Sequence, residues 1–130
     1  MRAERQARTL AQQAFALHEV MPGATCRIRH DTLSCRIDLQ PTAASRVYSI
    51  RLRYRLGKRP AVSVLQPELV LHPGARRLPH VYDDGTLCLH YPWEWKPHMI
   101  LAHTTLPWTS EWLYYYEIWR MTGAWTGGGH

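Results

Sequence analysis

The sequence predicts an α+β fold, and three patterns in its 130 residues predict it. A 3.6-residue apolar repeat runs through residues 2–20, and a two-residue alternation fills residues 25–65. An aromatic stripe at helical spacing then runs between Trp108 and Trp119. The resulting order is one N-terminal helix, a four-stranded antiparallel meander, a loop-rich stretch and C-terminal helices.

Residues 2–20 read as a helix with Ala7, Leu10, Ala14 and Leu17 on one face and Arg2, Arg5 and Arg8 elsewhere; Met21-Pro22-Gly23 ends it. Beyond Thr25, Cys26 and Ile28 alternate with Arg27 and Arg29. After a His30-Asp31 turn, Leu33, Cys35, Ile37 and Leu39 alternate with Ser34, Arg36 and Asp38. That is a hairpin with one buried face. A tight turn sets Cys26 opposite Cys35 on the core side, where both are expected reduced, as small core residues. Residues 41–46 are a polar connection. Residues 47–56 then send Ile50, Leu52, Tyr54 and Leu56 one way and Arg51, Arg53 and Arg55 the other. Gly57-Lys58-Arg59-Pro60 is a turn, and residues 61–65 make the fourth strand.

Pro67, Pro73 and Gly74 mark residues 66–77 as a turn-rich approach to the next segment. Further on, residues 98–105 suit a short helix. Pro107 suits the first turn of another, running to Met121 with Gly123 past its end as a C-cap. Trp108, Trp112, Tyr115, Tyr116 and Trp119 recur on this helix at core-facing spacing, and the remaining aromatics suit a partner surface. Residues 124–130 are too glycine-rich to order themselves and read as a flexible or partner-docked tail.

Composition bounds the function. The length suits a single domain over residues 1–130, and the net charge of +6 favours acidic partners. The outer face of the sheet collects Arg27, Arg29, Arg36, Arg51, Arg53 and Arg55. A solvated face, an acidic protein partner and a phosphate backbone all fit such a surface. Interleaved aromatics and base-reading motifs are missing from it, which argues against nucleic acid. No apolar h-region and no run of membrane-spanning length occurs, so a cytoplasmic protein without a membrane partner is expected. Three cysteines without metal spacing suit a reducing compartment and imply neither metal nor cofactor.

The chemistry concentrates in residues 78–97. Pro79, Gly85, Pro92 and Pro97 interrupt this stretch too often for a regular helix or central strand, yet it carries Cys88, two histidines, three acidic residues and two tryptophans. Asp84-Gly85 is a turn signal, and Thr86-Leu87-Cys88-Leu89 is a short apolar run that holds the sulfur at the lip of the core. His80 lies eight residues before Cys88 and His90 two after it, so a thiol and an imidazole can meet across the turn. A thiolate activated by such a neighbour is one reading, and a buried structural cysteine is the other.

Pro79-His80-Val81-Tyr82-Asp83-Asp84-Gly85-Thr86-Leu87-Cys88-Leu89, followed by Trp95-Lys96-Pro97, resembles the active-site segment of ubiquitin-conjugating enzymes. That segment runs from a His-Pro-Asn motif through a Tyr and an Asp-Gly turn to the catalytic Cys-Leu and a Trp-x-Pro. The motif's His corresponds to Leu78 and its Asn to His80, eight residues before Cys88. The resemblance implies the ubiquitin-conjugating enzyme fold, Cys88 as the thioester-forming residue, and His80 in a position that holds the loop or stabilises the oxyanion. It also implies that the basic first helix docks an activating enzyme.

Asp-Gly-Thr-Leu-Cys-Leu, the stretch Pro107 to Trp119 and the Trp-x-Gly-Gly-Gly ending narrow this further. Together they resemble the small ubiquitin-conjugating-like proteins of bacterial cyclic-oligonucleotide anti-phage (CBASS) operons. In those systems the enzyme acts on the C-terminus of a cGAS-like nucleotidyltransferase. The expected function is therefore acyl transfer through a Cys88 thioester with the C-terminal tail of that nucleotidyltransferase, or of a ubiquitin-like acyl donor. Backbone N–H groups near Cys88 would share the oxyanion. Three rivals stand beside it: a non-catalytic binding module of the same fold, a metal site from His80, Cys88, His90, His98 and His103, and a cysteine peptidase.

Overall fold

Thr9 sets where the first helix begins. Its Oγ1 accepts the Gln12 amide N–H at 3.0 Å, and the Gln12 side-chain oxygen accepts the Thr9 N–H at 2.8 Å. This reciprocal capping box starts α1 at Leu10–Val20 rather than at residue 2. Ala7 and Arg8 thus precede the helix. Arg8 donates its backbone N–H to the Pro97 carbonyl at 3.0 Å and its Nε to the His98 carbonyl at 3.1 Å, which occupies one of the expected docking cations. The computed structural model describes residues 6–127. Arg2, Arg5 and the Gly128-Gly129-His130 end lie outside the described residues.

Four strands follow, β1 (Thr25–Arg29), β2 (Thr32–Leu39), β3 (Tyr48–Arg55) and β4 (Ala61–Gln66), in an antiparallel sheet of that order. The alternation places Leu33, Cys35, Ile37, Ile50, Leu52, Tyr54 and Val62 on the buried face, as expected. Two positions depart from it. Ile28 and Leu56 are 45% and 41% exposed, because the first lies on an edge strand and the second just past the end of β3. The His30-Asp31 turn aligns Cys26 with Cys35, their Cα atoms are 4.1 Å apart, and the two sulfurs form a disulfide. This corrects the expectation of two reduced thiols; directly opposed residues on neighbouring strands bring their side chains into bonding reach.

The second long helix, α2 (Thr105–Thr122), ends at Gly123, whose φ of 79° is left-handed. Between the sheet and α2 the chain forms single 3-10 turns at Pro92–Glu94 and Leu101–His103; the second replaces the short helix expected over residues 98–105. Trp112, Tyr116 and Trp119 of α2 are buried in one apolar cluster with Leu10 and Leu17 of α1 and the inner face of the sheet. Polar ties align the helix. Glu117 accepts hydroxyl bonds from Ser45 and Tyr48, and the Tyr116 hydroxyl meets the backbone of Val70. Among the described residues, no helix is long and apolar enough to cross a membrane.

Gln13 is a buried polar side chain with a structural task. Its Nε2 donates to the Met99 carbonyl at 2.7 Å, and its Oε1 accepts the Leu101 N–H at 2.9 Å, which joins α1 to the segment below the site loop. Gln13→Leu keeps the volume but strands both backbone groups. Because an unmade buried bond costs about 1–3 kcal/mol, this variant is expected to lose at least about 2 kcal/mol in urea unfolding.

Candidate active site

The site is built on a turn that closes on itself. Tyr82 donates its N–H to the Thr86 carbonyl at 2.8 Å, and Gly85, at a left-handed φ of 87°, donates to Tyr82 at 2.9 Å. The exposed Asp84 carboxylate accepts the Thr86 hydroxyl at 2.6 Å and the Thr86 N–H at 2.9 Å, which holds its carboxyl below the usual carboxylate range. The turn is thereby fixed at neutral pH.

Past the turn the chain rejoins the sheet edge. Val81 pairs with Leu87, the buried Leu87 donates its N–H to Val62 of β4 at 2.8 Å, and Cys88 donates its N–H to the His80 carbonyl at 2.9 Å. That same carbonyl accepts the indole N–H of Trp112 at 3.0 Å, so His80 ties the loop to α2. His80 has φ of 51°. Asn, Asp and His are the non-glycine residues that tolerate this region best, so a histidine suits the backbone here.

Cys88 is the free cysteine and is half-buried. The Tyr82 phenol is an electrostatic neighbour of the thiol. Burial first, and then the neighbouring Cys88 thiol, raise the Tyr82 phenol above its ordinary value; the Arg59 guanidinium, 3.9 Å from the ring centroid, pulls the other way. A cavity of about 170 Å³ opens beside the thiol, walled by His80, Cys88, His90, Trp108, Trp112, Tyr115 and Trp125. His90 is buried against Trp108 at 5.2 Å between ring centroids and donates Nδ1–H to its neighbour's carbonyl, which leaves Nε2 as the acceptor of the neutral ring. Glu94 and Glu111 also border the cavity.

The structure therefore brings Cys88, His80 and His90 to one wall, while His98 and His103 are not among the cavity's lining residues. Among the described residues no group of three or more His, Cys, Asp or Glu could hold a metal ion. Two of the amides beside the thiol already have partners. The N–H groups of Leu87 and Cys88 are both committed to carbonyls. Sequence reasoning passed over Tyr82 as a nucleophile's neighbour, although it stands in the motif six residues before Cys88. It also passed over Trp125, because the glycines after it read as disorder.

A thiol mounted on a turn at the open edge of a four-stranded sheet, facing an aromatic helix, defines an α+β protein with a cysteine-lined site. The family described as Type II CBASS E2 protein matches residues 13–130, and the chain belongs to that family. No curated protein matches it. The family description implies an E2-like, conjugating-enzyme role in CBASS antiviral defence.

Tyr48, Tyr54 and Tyr82 are all held above the ordinary phenol value, with burial the largest cause in each. Their unfolded values lie near 10, so above that pH the folded chain retains protons that the unfolded chain has released. The tyrosines' contribution to stability is expected to be level below pH ~10 and to fall as pH rises beyond it. Urea midpoints measured on either side of pH ~10 read the slope, and Tyr82→Phe should make it shallower.

Proposed function

We propose that the protein is a ubiquitin-conjugating-like acyl carrier in which Cys88 is the nucleophile. The observation that carries this reading is the mounting of the thiol: a half-buried sulfur, pinned through its own amide to His80 and open to an aromatic cavity. A structural cysteine has no need of such a cavity. The helix, four-stranded meander and closing helix support the ubiquitin-conjugating fold over a single domain of residues 1–130.

The donor arrives as an activated C-terminal acyl group, a thioester or mixed anhydride supplied by an activating enzyme. The Cys88 thiolate attacks its carbonyl carbon; the C–S bond forms as the donor's leaving group departs with its electron pair. An amine or a second thiol then attacks the thioester carbon, the C–S bond breaks and the thiolate returns to Cys88, with the incoming group's proton released to solvent. His80 acts as a positioning residue through its backbone, whose carbonyl receives two hydrogen bonds. The CBASS context supports a cGAS-like nucleotidyltransferase of the same operon as the acyl donor, engaged through its C-terminal tail in the cytoplasm.

Intact mass spectrometry of this protein mixed with that nucleotidyltransferase and an activating enzyme tests the reading. The expected product is an adduct of the two chains less one water, cleaved by reductant and absent with Cys88→Ala. Persistence of the adduct in Cys88→Ala would place the nucleophile elsewhere. A second prediction separates the two roles of His80. His80→Gly removes the ring and relieves the left-handed backbone of its Cβ, whereas His80→Ala removes the ring but keeps the about 1–2 kcal/mol that a Cβ costs at that φ. Loading should survive His80→Gly better than His80→Ala; equal losses would mean that the imidazole itself acts.

A further inference from the structure

The segment after α2 does not trail into solvent, as its glycines suggested, but returns to the site. Gly123 turns the chain at a left-handed φ, and the Ala124 N–H is caught by the Thr122 hydroxyl at 3.1 Å. A Cβ on Gly123 would come within 2.8 Å of the His72 ring, so the reversal is sterically set. Trp125 is thereby delivered onto three rings, with centroids 4.8 Å from His80, 5.5 Å from Trp112 and 5.9 Å from Tyr115. Each distance lies within the range of favourable aromatic pairs.

Two residues on, Gly127 lies flat against Tyr115. A Cβ there would stand 2.6 Å from Tyr115 Cδ2, closer than a real Cβ contact allows. Trp125 and Gly127 both wall the cavity that Cys88 lines, and the space left is about 170 Å³. The segment after α2 thus forms part of the wall beside the thiol.

We propose that the groove beside Cys88 is a recognition site for an extended peptide segment with an aromatic residue two places before a glycine, and that residues 125–127 are its resident occupant. An acyl donor whose tail carries the same pattern reaches Cys88 by displacing them. The aromatic anchor is bound by the rings of His80, Trp112 and Tyr115, and the glycine is selected because the Tyr115 ring leaves no room for a side chain. This rests on the acyl-carrier reading for its biological use, but the occupancy itself is read at the thiol without any acyl donor.

The experiment is iodoacetamide alkylation of Cys88 at neutral pH, followed by intact mass without reductant, so that the Cys26–Cys35 disulfide stays closed. A segment seated nine-tenths of the time slows alkylation about tenfold, which is the acceleration expected on removing residues 124–130 or in Trp125→Ala. A synthetic peptide of residues 124–130 added to the truncated protein should restore protection, and the same peptide with alanine for tryptophan should not. Gly127→Ala in the full chain, which leaves the Trp125 anchor intact, should accelerate alkylation in part through the clash with Tyr115. Equal rates in full-length, Trp125→Ala and Gly127→Ala proteins overturn the proposal, as does a truncated protein that the peptide fails to protect. Normal thioester loading with unchanged alkylation rates would sink the resident segment alone, whereas gated alkylation without any thioester would sink the acyl-carrier reading alone.

Discussion

One carbonyl oxygen holds the site together. The His80 C=O receives the Cys88 N–H from within the loop and the Trp112 indole N–H from α2, so the sheet edge and the closing helix meet at a single acceptor. The oxygen can face both donors because His80 sits in the left-handed region, where its backbone turns back from the direction of the preceding chain. Burial of Trp112 makes its indole N–H dependent on that bond, since an unpaired buried donor is costly. The tryptophan therefore specifies the loop as much as the loop positions the tryptophan.

The same economy explains the aromatic content of α2. Trp112, Tyr116 and Trp119 fill the core against the sheet, while Trp108 and Tyr115, partly exposed, turn toward the thiol and form cavity wall. A helix with aliphatic side chains at these positions would bury comparable area but would offer no π-faces to His90 or Trp125, whose rings lie 5.2 Å from Trp108 and 5.9 Å from Tyr115. Core packing and site construction are two faces of one helix.

How much of this could be read from residues alone follows from the range of each signal. The strands were legible because alternation is local and a one-residue slip would expose every apolar side chain; Ile50, Leu52 and Tyr54 fall where the pattern put them. Cys88 and His80 were legible as neighbours because a turn of short span joins them. The start of α1 was not, since a capping box at Thr9 outweighed an apolar period that extends back past Ala7. The Cys26–Cys35 bond was underestimated although their opposition was foreseen, because pairing geometry does not reveal oxidation state. Trp125 was missed because composition reported the glycines and could not report the three rings that receive the tryptophan. Contacts far apart in sequence are where local reasoning stops.

The basic face of the sheet and the thiol meet through Arg59. On the outer face Arg36 stands directly opposite Arg51, a like-charge pair that costs stability, and Arg55 is paired with Asp31 at 2.7 Å. Solvent screening makes that repulsion tolerable over an open sheet. Arg59 borders the same concavity as Arg51, Arg53 and Arg55, but its guanidinium lies over the ring of Tyr82, whose phenol is an electrostatic neighbour of Cys88. A cation on the π-face favours negative charge at the phenol oxygen, which opposes the effect of burial there. An anionic segment bound on the arginine face would compete for Arg59 and weaken that support. The outer surface and the Cys88 site are in this way electrostatically linked through one stacked side chain.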